Sequence, residues 1–598
     1  MTPQQTDELM NQAKSGAMPL EVLMQQAEAL KQAGRSQDAM SLYKIWIACT
    51  QSPTRFVALF NWGVMLSEAG DMDAAEMAYR QCVALNPGLL QAKINLGLTL
   101  ERKKNFDEAL QQWGDVAHTP PGPASTDVDL KTMALNHIGR LQESRHLYDQ
   151  AETALQQSLA LKPDQPDAIQ HWVHLRQKQC KWPVCVPLPG IRVNDMLAAT
   201  SPLAMLSLHD DPALQWMASR AFVDRKFKLQ EERLAPAQRI PHARIRIGYL
   251  SGDLCTHAVG LLMADLIEAH DKTQFEIFAF DFSPEDGTAY RARLKGAFDH
   301  VIDLRNLDDR RAALTIRQLE IDVLIDLHGL SSGSRPGIMA LHPAHVQGTY
   351  LGFIGTTAMP WIDFVVTDPF ALPEALTPYF TEEPLYIEGS FIPLHTPVMS
   401  EPKVSRTEVG LPEDAVVLAS FNNIYKYNAE LFSAWMRILK RCDKAVLWLL
   451  DDNPWATEQL QQRALEQGVS LDRLVLAKRC THQEYRERLR LADLYLDTYP
   501  YNAGSTARDV LDARLPMVTL SGKTFISRMA GSMLHAAGVG ELVTHSHADY
   551  EDTVVALAHA PERIAELKQT LELQSATWHQ APARLTASLE QALLKRLL

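Results

Sequence analysis

Two hydrophobic rhythms divide the chain. Over the first 185 residues, apolar positions recur three and four apart, as in AAEMAYRQCVAL (74–85). That is the spacing of a helix with one buried face. A longer repeat overlies it. Gly63 and Gly97 stand 34 positions apart, with Ala75 and Ala109 twelve positions after them and Pro87 and Pro121 twelve further on. Gly139, Ala151 and Pro163 form a third copy after an insertion around PPGPASTD (120–127), and Ala27, Ala39 and Pro53 form a degenerate earlier one. Small residues let two helices cross closely, and the proline stops the second helix of each pair. The pattern therefore predicts three clear helix pairs, a weak one before them, and a last helix near 165–180.

After the Pro-rich run KWPVCVPLPGIRV (181–193), residues 196–234 read as helices. Then the rhythm changes. RIRIGYLS (244–251), FEIFAFDF (275–282) and IDVLIDLHG (321–329) are unbroken apolar runs with helical stretches between them. The pattern restarts after about residue 400 with AVVLASF (415–421), AVLWLL (445–450), LVLA (474–477), LYLDT (494–498) and MVTL (517–520). Strands and helices that alternate over this length predict parallel sheets covered by helices. The restart predicts two such domains, with a ligand cleft at the carboxyl ends of their strands.

Composition narrows the class. The chain has 598 residues, 46% of them hydrophobic and 22% charged, which excludes a wholly disordered protein and requires several cores. No stretch is long and apolar enough to span a membrane, and the N-terminus lacks the basic and apolar regions of a secretory signal. A net charge of −14 argues against a nucleic-acid scaffold. Seven scattered cysteines fit a reducing, cytoplasmic setting; the Cys180–Cys185 pair reads as buried thiols rather than a metal site.

No HExxH, paired CxxC, Walker A or GxGxxG motif follows any strand, which removes the usual support for kinase and dehydrogenase readings. Four polar clusters at strand ends remain. SGDLCTHAVG (251–260) carries His257, a candidate base or orienting group, and DLHGLSSGSR (326–335) carries Asp326 and His328. SFNNIYKYN (420–428) carries Lys426, a cation with no obvious partner. DTYPYNAGSTARDVLDA (497–513) places Ser505 and Thr506 at the start of a helix, where amide groups and hydroxyls make a phosphate site, and Asp509 one turn in. In the repeats, Asn61 and Asn95 each precede the repeat glycine by two positions and are candidates to hold an extended peptide.

The repeat pattern resembles the tetratricopeptide repeat. The motifs behind it resemble, in order, the O-linked N-acetylglucosamine transferases and their SPINDLY-type relatives. The stretches that carry the likeness are RIRIGYLSGDLCTHAVGLLM, FSPEDGTAYR, RPGIMALHPAHVQGTYLGFIGTTAMPWIDFVVTD, SFNNIYKY, KAVLWLL and LADLYLDTYPYNAGSTARDVLDARLPMVTL. The resemblance implies an α superhelix (1–185), a helical connector (186–240), an acceptor-side Rossmann-like domain (241–395) and a donor-binding one (396–598) with a closing C-terminal helix, in the B-type glycosyltransferase arrangement. It implies that His257 is the active-site histidine and that Lys426 supports the diphosphate. Ser505 and Thr506 then lie at the phosphates, Asp509 and His482 at the ribose, Tyr485 and Arg488 beside the uracil, and Gly352 in a loop near the sugar. Asn423, Tyr425, Cys480 and Gly504 belong to the same donor stretches.

The chain departs from the family pattern at Asn423 for a glutamine, Gly504 for a histidine, Ile354 for a proline and Tyr485 for a histidine. The implied activity is inverting, metal-independent transfer of a sugar, foremost GlcNAc from UDP-GlcNAc, to serine or threonine of a protein held by the repeats, with no cofactor. The alternatives are another donor (UDP-glucose or GDP-fucose), an asparagine acceptor, or an inactive peptide-binding scaffold.

Overall fold

The computed structural model describes residues 3–120, 125–227, 232–236, 238–395 and 403–597. They form two compact units: residues 1–175 with 187–191, and residues 176–186 with 192–598. Among the described residues no helix is long and apolar enough to cross a membrane.

The first unit is all helical. Arg55–Glu68 pairs with Met72–Leu85, Leu90–Arg102 with Phe106–Ala117, and Ser125–Ser144 with Tyr148–Leu161. Leu20–Gln32 pairs with Ser36–Cys49 in the degenerate copy, and one further helix, Pro3–Lys14, precedes it. The repeat glycines sit where the helices cross. A Cβ on Gly63 would lie 2.7 Å from the Tyr79 ring and one on Gly139 2.8 Å from Leu155, and at Gly97 the Trp113 ring leaves no room at all. Ala75, Ala109 and Ala151 are fully buried. Pro53, Pro87 and Pro163 follow the ends of helices at Cys49, Leu85 and Leu161. Pro121 lies outside the described residues.

The division between units falls at Leu175, ahead of the 185 expected from the Pro-rich run. The reason is local. The carbonyls of Lys178 and Trp182 accept hydrogen bonds from Asn453 (2.9 Å) and Arg463 (2.7 Å), and Gln177 donates to the Ala204 carbonyl (3.1 Å), all within the second unit.

The second unit begins with connector helices Val193–Ala199, Pro202–Leu208 and Pro212–Lys226. Its first sheet contains β1 (Ile245–Ser251), β2 (Phe275–Asp281), β3 (His300–Asp303), β4 (Val323–Asp326), β5 (Val346–Thr349), β6 (Phe364–Thr367) and β7 (Glu383–Tyr386), in the order β3-β2-β1-β4-β5-β6-β7. Its second contains β8 (Val416–Ser420), β9 (Ala445–Asp451), β10 (Leu474–Lys478), β11 (Leu494–Leu496), β12 (Met517–Leu520) and β13 (Val543–Thr544), in the order β10-β9-β8-β11-β12-β13. All pairings are parallel. The inner strands are buried on both faces, as continuous apolar runs such as AVLWL require, while the edge strands β3 and β7 are largely exposed.

Each sheet reverses its winding once, between β1 and β4 and between β8 and β11. The four polar clusters follow those four strands. Chain order thus brings the clusters to the two switch points, where parallel sheets open a crevice at the carboxyl ends of their strands. The C-terminal helix Ala581–Leu597 packs against the first sheet's lobe: Glu590 accepts from the Asp271 amide (2.9 Å) and faces His270 (2.8 Å), which in turn faces the Tyr249 hydroxyl (2.8 Å).

Candidate functional site

The segment after β8 turns through a short 3-10 helix, Ile424–Lys426, which folds the Lys426 side chain back over the strand ends. Lys426 is 8% exposed. Its Nζ donates to the Asn502 carbonyl (3.2 Å) and Asn422 Oδ1 (3.4 Å), and lies 4.1 Å from the centre of the Tyr501 ring. The lysine without an obvious partner is therefore held by the loop that follows β11. Asp497, at the start of that loop, accepts from the Thr519 hydroxyl (2.6 Å), the Thr498 amide (2.8 Å), the Ala503 amide (2.9 Å) and Asn422 Nδ2 (3.4 Å). Burial pulls Lys426 down to about 8, against the attraction of Asp497; burial likewise pushes the Asp497 carboxyl up, against its hydrogen bonds and Lys426. The side chains that organise this pocket, Asn422, Asp497 and Asn502, were not among the residues expected from sequence. Asn423, which was, is exposed.

Two residues beyond Asn502 the chain enters the helix Ser505–Asp512. Its N-cap is Gly504, so no side chain occupies the first amide groups. A Cβ at 504 would lie 3.1 Å from Met529. Ser505 and Thr506 open the helix and are partly exposed. Asp509, one turn on, faces His482 with both carboxylate oxygens 3.2 Å from Nε2. His482 opens the helix His482–Leu489 and stacks on Tyr485 of the same helix, ring centres 6.1 Å apart. Tyr485, Arg488, Cys480 and Thr506 line one cavity of about 280 Å³, floored by Phe421, Leu450 and Ala477. Arg488 donates to the Lys478 carbonyl at its rim (2.8 Å). Tyr425 lies edge-on to Tyr501, 6.0 Å between centres.

His257 and Gly352 belong to the other lobe. His257 is the N-cap of the helix Ala258–Glu268, accepting from the Val259 amide (3.4 Å), and its half-exposed ring stands 3.4 Å from Asp253. His328 is buried, accepts from the Gly252 amide (2.8 Å) and stacks on Phe282. Asp326 accepts from the His328 and Gly329 amides (3.1 and 2.8 Å), and burial raises its carboxyl. Both residues thus shape the loop after β4. Gly352 packs so closely on the Leu327 carbonyl that a Cβ has no place there. The lobes meet where Arg508, in the Ser505–Asp512 helix, donates to the Leu261 carbonyl (3.0 Å) in the helix that His257 caps. A cavity of about 650 Å³ runs along this seam, lined by His482, Asp509, Arg486, Arg508, Arg293 and His395 among others.

In the first unit, the Asn95 amide donates to the Tyr79 hydroxyl (3.4 Å), and Asn61 stands beside the Tyr43 hydroxyl. Each asparagine is partly exposed and tied to the neighbouring helix pair. Asn136, one position off the pattern, is bonded to Gln165 and Ser158 (2.9 and 2.7 Å). Cys180 is buried and Cys185 partly so, and all seven cysteines are free thiols.

Comparison with known proteins agrees with this architecture. The glycosyl transferase family 41 profile matches residues 223–400 and 395–580, and a tetratricopeptide repeat profile matches residues 61–125. The chain is similar to the probable UDP-N-acetylglucosamine–peptide N-acetylglucosaminyltransferase SEC of Arabidopsis thaliana, 33% identical over 343 residues, covering 56% of this chain and 35% of that protein. It is also similar to the UDP-N-acetylglucosamine–peptide N-acetylglucosaminyltransferase of Caenorhabditis elegans, 26% identical over 438 residues, covering 54% of this chain and 38% of that protein. Each match spans little more than a third of the relative's length. Among solved structures, a Thermobaculum terrenum O-GlcNAc transferase mutant shares the fold, with a TM-score of 0.63, 24% identity, and coverage of 100% of this chain and 98% of that one.

Proposed function

The chain belongs to glycosyl transferase family 41, and from that premise we propose that it transfers a sugar, foremost GlcNAc from UDP-GlcNAc, to serine or threonine hydroxyls of protein acceptors. One observation carries the reading. A buried lysine and an uncapped helix N-terminus converge on the same loop: Lys426 on the Asn502 carbonyl, the Ser505–Asp512 helix three residues later. Together they offer an ammonium group and free amide groups to a diphosphate. Asp509 and the Tyr485 cavity continue from that point in the order a ribose and a base would need.

In this reading uracil enters the 280 Å³ cavity beside Tyr485 and Arg488. The ribose hydroxyls bond Asp509, with His482 on its other side. The diphosphate lies on the Ser505–Thr506 amides and Lys426. The acceptor hydroxyl attacks the anomeric carbon from the face opposite the diphosphate, a new C–O bond forms, the bond to UDP breaks with its electron pair leaving on the phosphate, and the hydroxyl proton ends on the released diphosphate or in water. The charge that develops there meets donors already in place, so stabilisation needs no divalent cation. His257 borders the acceptor side of the crevice.

The test is a calorimetric panel of UDP-GlcNAc, UDP-glucose, GDP-fucose, UDP and GDP, followed by transfer of labelled sugar to a protein acceptor and identification of the modified side chain. UDP-GlcNAc binding with label on serine or threonine supports the reading. Preference for another donor, label on asparagine, or no nucleotide binding would replace it with the corresponding alternative.

A further inference from the structure

We infer that Asp210, from the helical connector, is a positioning residue for the phosphate-binding loops; the functional part of this inference rests on the donor reading above. Asp210 lies between the helices Pro202–Leu208 and Pro212–Lys226, some 290 residues before the loops it touches. Its carboxylate is filled from the second sheet's lobe. Oδ2 accepts from the Tyr499 hydroxyl (2.7 Å) and the Lys523 amide (2.7 Å); Oδ1 accepts from the hydroxyls of Thr524 (2.8 Å) and Ser527 (2.6 Å). The chain is shaped to admit it: at Gly522 any side chain would collide with this carboxylate.

Those four donors come from the two loops that flank the start of the Ser505–Asp512 helix. Tyr499 is in the loop after β11. Around it, the Thr498 hydroxyl bonds the Tyr501 carbonyl (2.6 Å), Asn502 bonds the Thr498 carbonyl (2.8 Å), and the Asn502 carbonyl receives Lys426 (3.2 Å). Lys523, Thr524 and Ser527 are in the segment after β12, which leads into Met529, the residue against Gly504. One carboxylate therefore ties together the loop that carries the lysine contact and the wall behind the helix start. A loop end held at one point swings about it; held at both walls it keeps its amides aimed, and misplacement by a fraction of an ångström is enough to lose charge stabilisation.

The experiment uses the full chain with Asp210→Ala and Asp210→Asn. Ser201→Ala is the control, because the Ser201 hydroxyl caps the neighbouring connector helix through the Ala204 amide. Three readouts are taken: UDP affinity by calorimetry, donor KM and kcat, and hydrogen exchange of residues 497–510 without nucleotide. Asp210→Ala should weaken UDP binding about tenfold, lower kcat by a similar factor and speed exchange across 499–507. In Asp210→Asn the amide oxygen still accepts from Lys523 and Tyr499, and the NH2 can donate to the Thr524 and Ser527 oxygens, so most of the loss should be recovered. Ser201→Ala should leave affinity and exchange at the wild-type level.

Wild-type affinity together with unchanged exchange in Asp210→Ala overturns the inference. Should that variant not fold, Tyr499→Phe, which removes one of the four donors, decides by the same readouts with an expected loss of about threefold. A wild-type protein that binds neither UDP nor GDP refutes the donor reading instead; the exchange measurement, made without nucleotide, still decides whether Asp210 holds the loops.

Discussion

Lys426 is held by two neutral oxygens in a buried setting that favours its uncharged form, and a diphosphate would favour the charged one. The two preferences give opposite pH signatures. The lysine titrates from an ordinary 10.5 in the unfolded chain and from about 8 in the folded one. The unfolded state therefore binds more protons between those values, and this residue's contribution to the stability of the unliganded protein rises as pH climbs from 8 to 10.5. Nucleotide affinity should move the other way: flat up to about pH 8, then weaker by up to about tenfold per pH unit as binding has to take up a proton. Calorimetry in two buffers of different ionisation enthalpy at pH 7 and 9 checks both affinity and proton uptake; no change in affinity across pH 8 would remove Lys426 from the diphosphate. Lys426→Ala should cost about 2–4 kcal/mol in the transfer barrier with the fold intact. Excess EDTA should leave wild-type turnover unchanged, and strict dependence on magnesium or manganese would count against the charge stabilisation assigned to Lys426 and the helix amides. At this scale the sequence was legible where one residue type has one role. Lys426 and Asp509 stand out by charge and by the context of a strand end, whereas Tyr485 is picked out only by the family resemblance. Asn422 did not stand out from Asn423, because period-two alternation ends with β8 at Ser420 and the 3-10 turn beyond it decides which asparagine faces inward.

The helix pairs make a sharper prediction about single elements. Gly97 has the Trp113 ring where a methyl would go, whereas Gly114, inside Phe106–Ala117, has open space. Gly97→Ala should destabilise the repeats by about 1–3 kcal/mol through overpacking, while Gly114→Ala should stabilise them by up to about 1 kcal/mol through helix propensity. Urea unfolding followed by hydrogen exchange in residues 90–117 reads both, and equal effects would mean that the repeat glycine is not a crossing point. The helices and the central strands could be read from sequence because helical periodicity runs over several turns and the strands form apolar runs between them. The edge half of the first sheet could not. β5 is only VQGT, with a glutamine at its centre, yet Gln347 is buried because its amide donates to the carbonyls of Met339 and Trp361 (3.0 and 2.8 Å). A polar residue whose partners are main-chain carbonyls from distant segments leaves no mark in a hydrophobic pattern. β7 (EPLY) carries a glutamate and a proline and β13 is only two residues long, so neither makes an apolar run.

At the scale of the whole chain, the proposed donor site and the repeats proposed to hold the acceptor fall in different compact units, and on that reading the two jobs should separate. A repeat array is stabilised by contacts between neighbouring repeats, so a chain lacking residues 1–125 should keep UDP affinity near wild type and transfer poorly to a long acceptor. Asn61→Ala with Asn95→Ala should act in the same direction by about 0.5–1.5 kcal/mol for each hydrogen bond to the acceptor lost. Unchanged transfer in both variants would confine the array to support or to docking of another kind. The C-terminal helix has a consequence of a different sort, one of timing. Glu590 closes on His270 across 320 residues of chain, and the Thr586 hydroxyl on the Leu266 carbonyl across the same span. At about 5–20 residues per second, a ribosome that has just released the helix Ala258–Glu268 needs on the order of tens of seconds more to deliver the helix that covers it. Until then the first lobe waits half-dressed, its buried histidine open to water and its apolar seam open to whatever else is in the cell. The nascent chain should thus be a customer for a holding chaperone over that interval, and slow codons between the two helices would lengthen its exposure without changing a single residue of the finished protein.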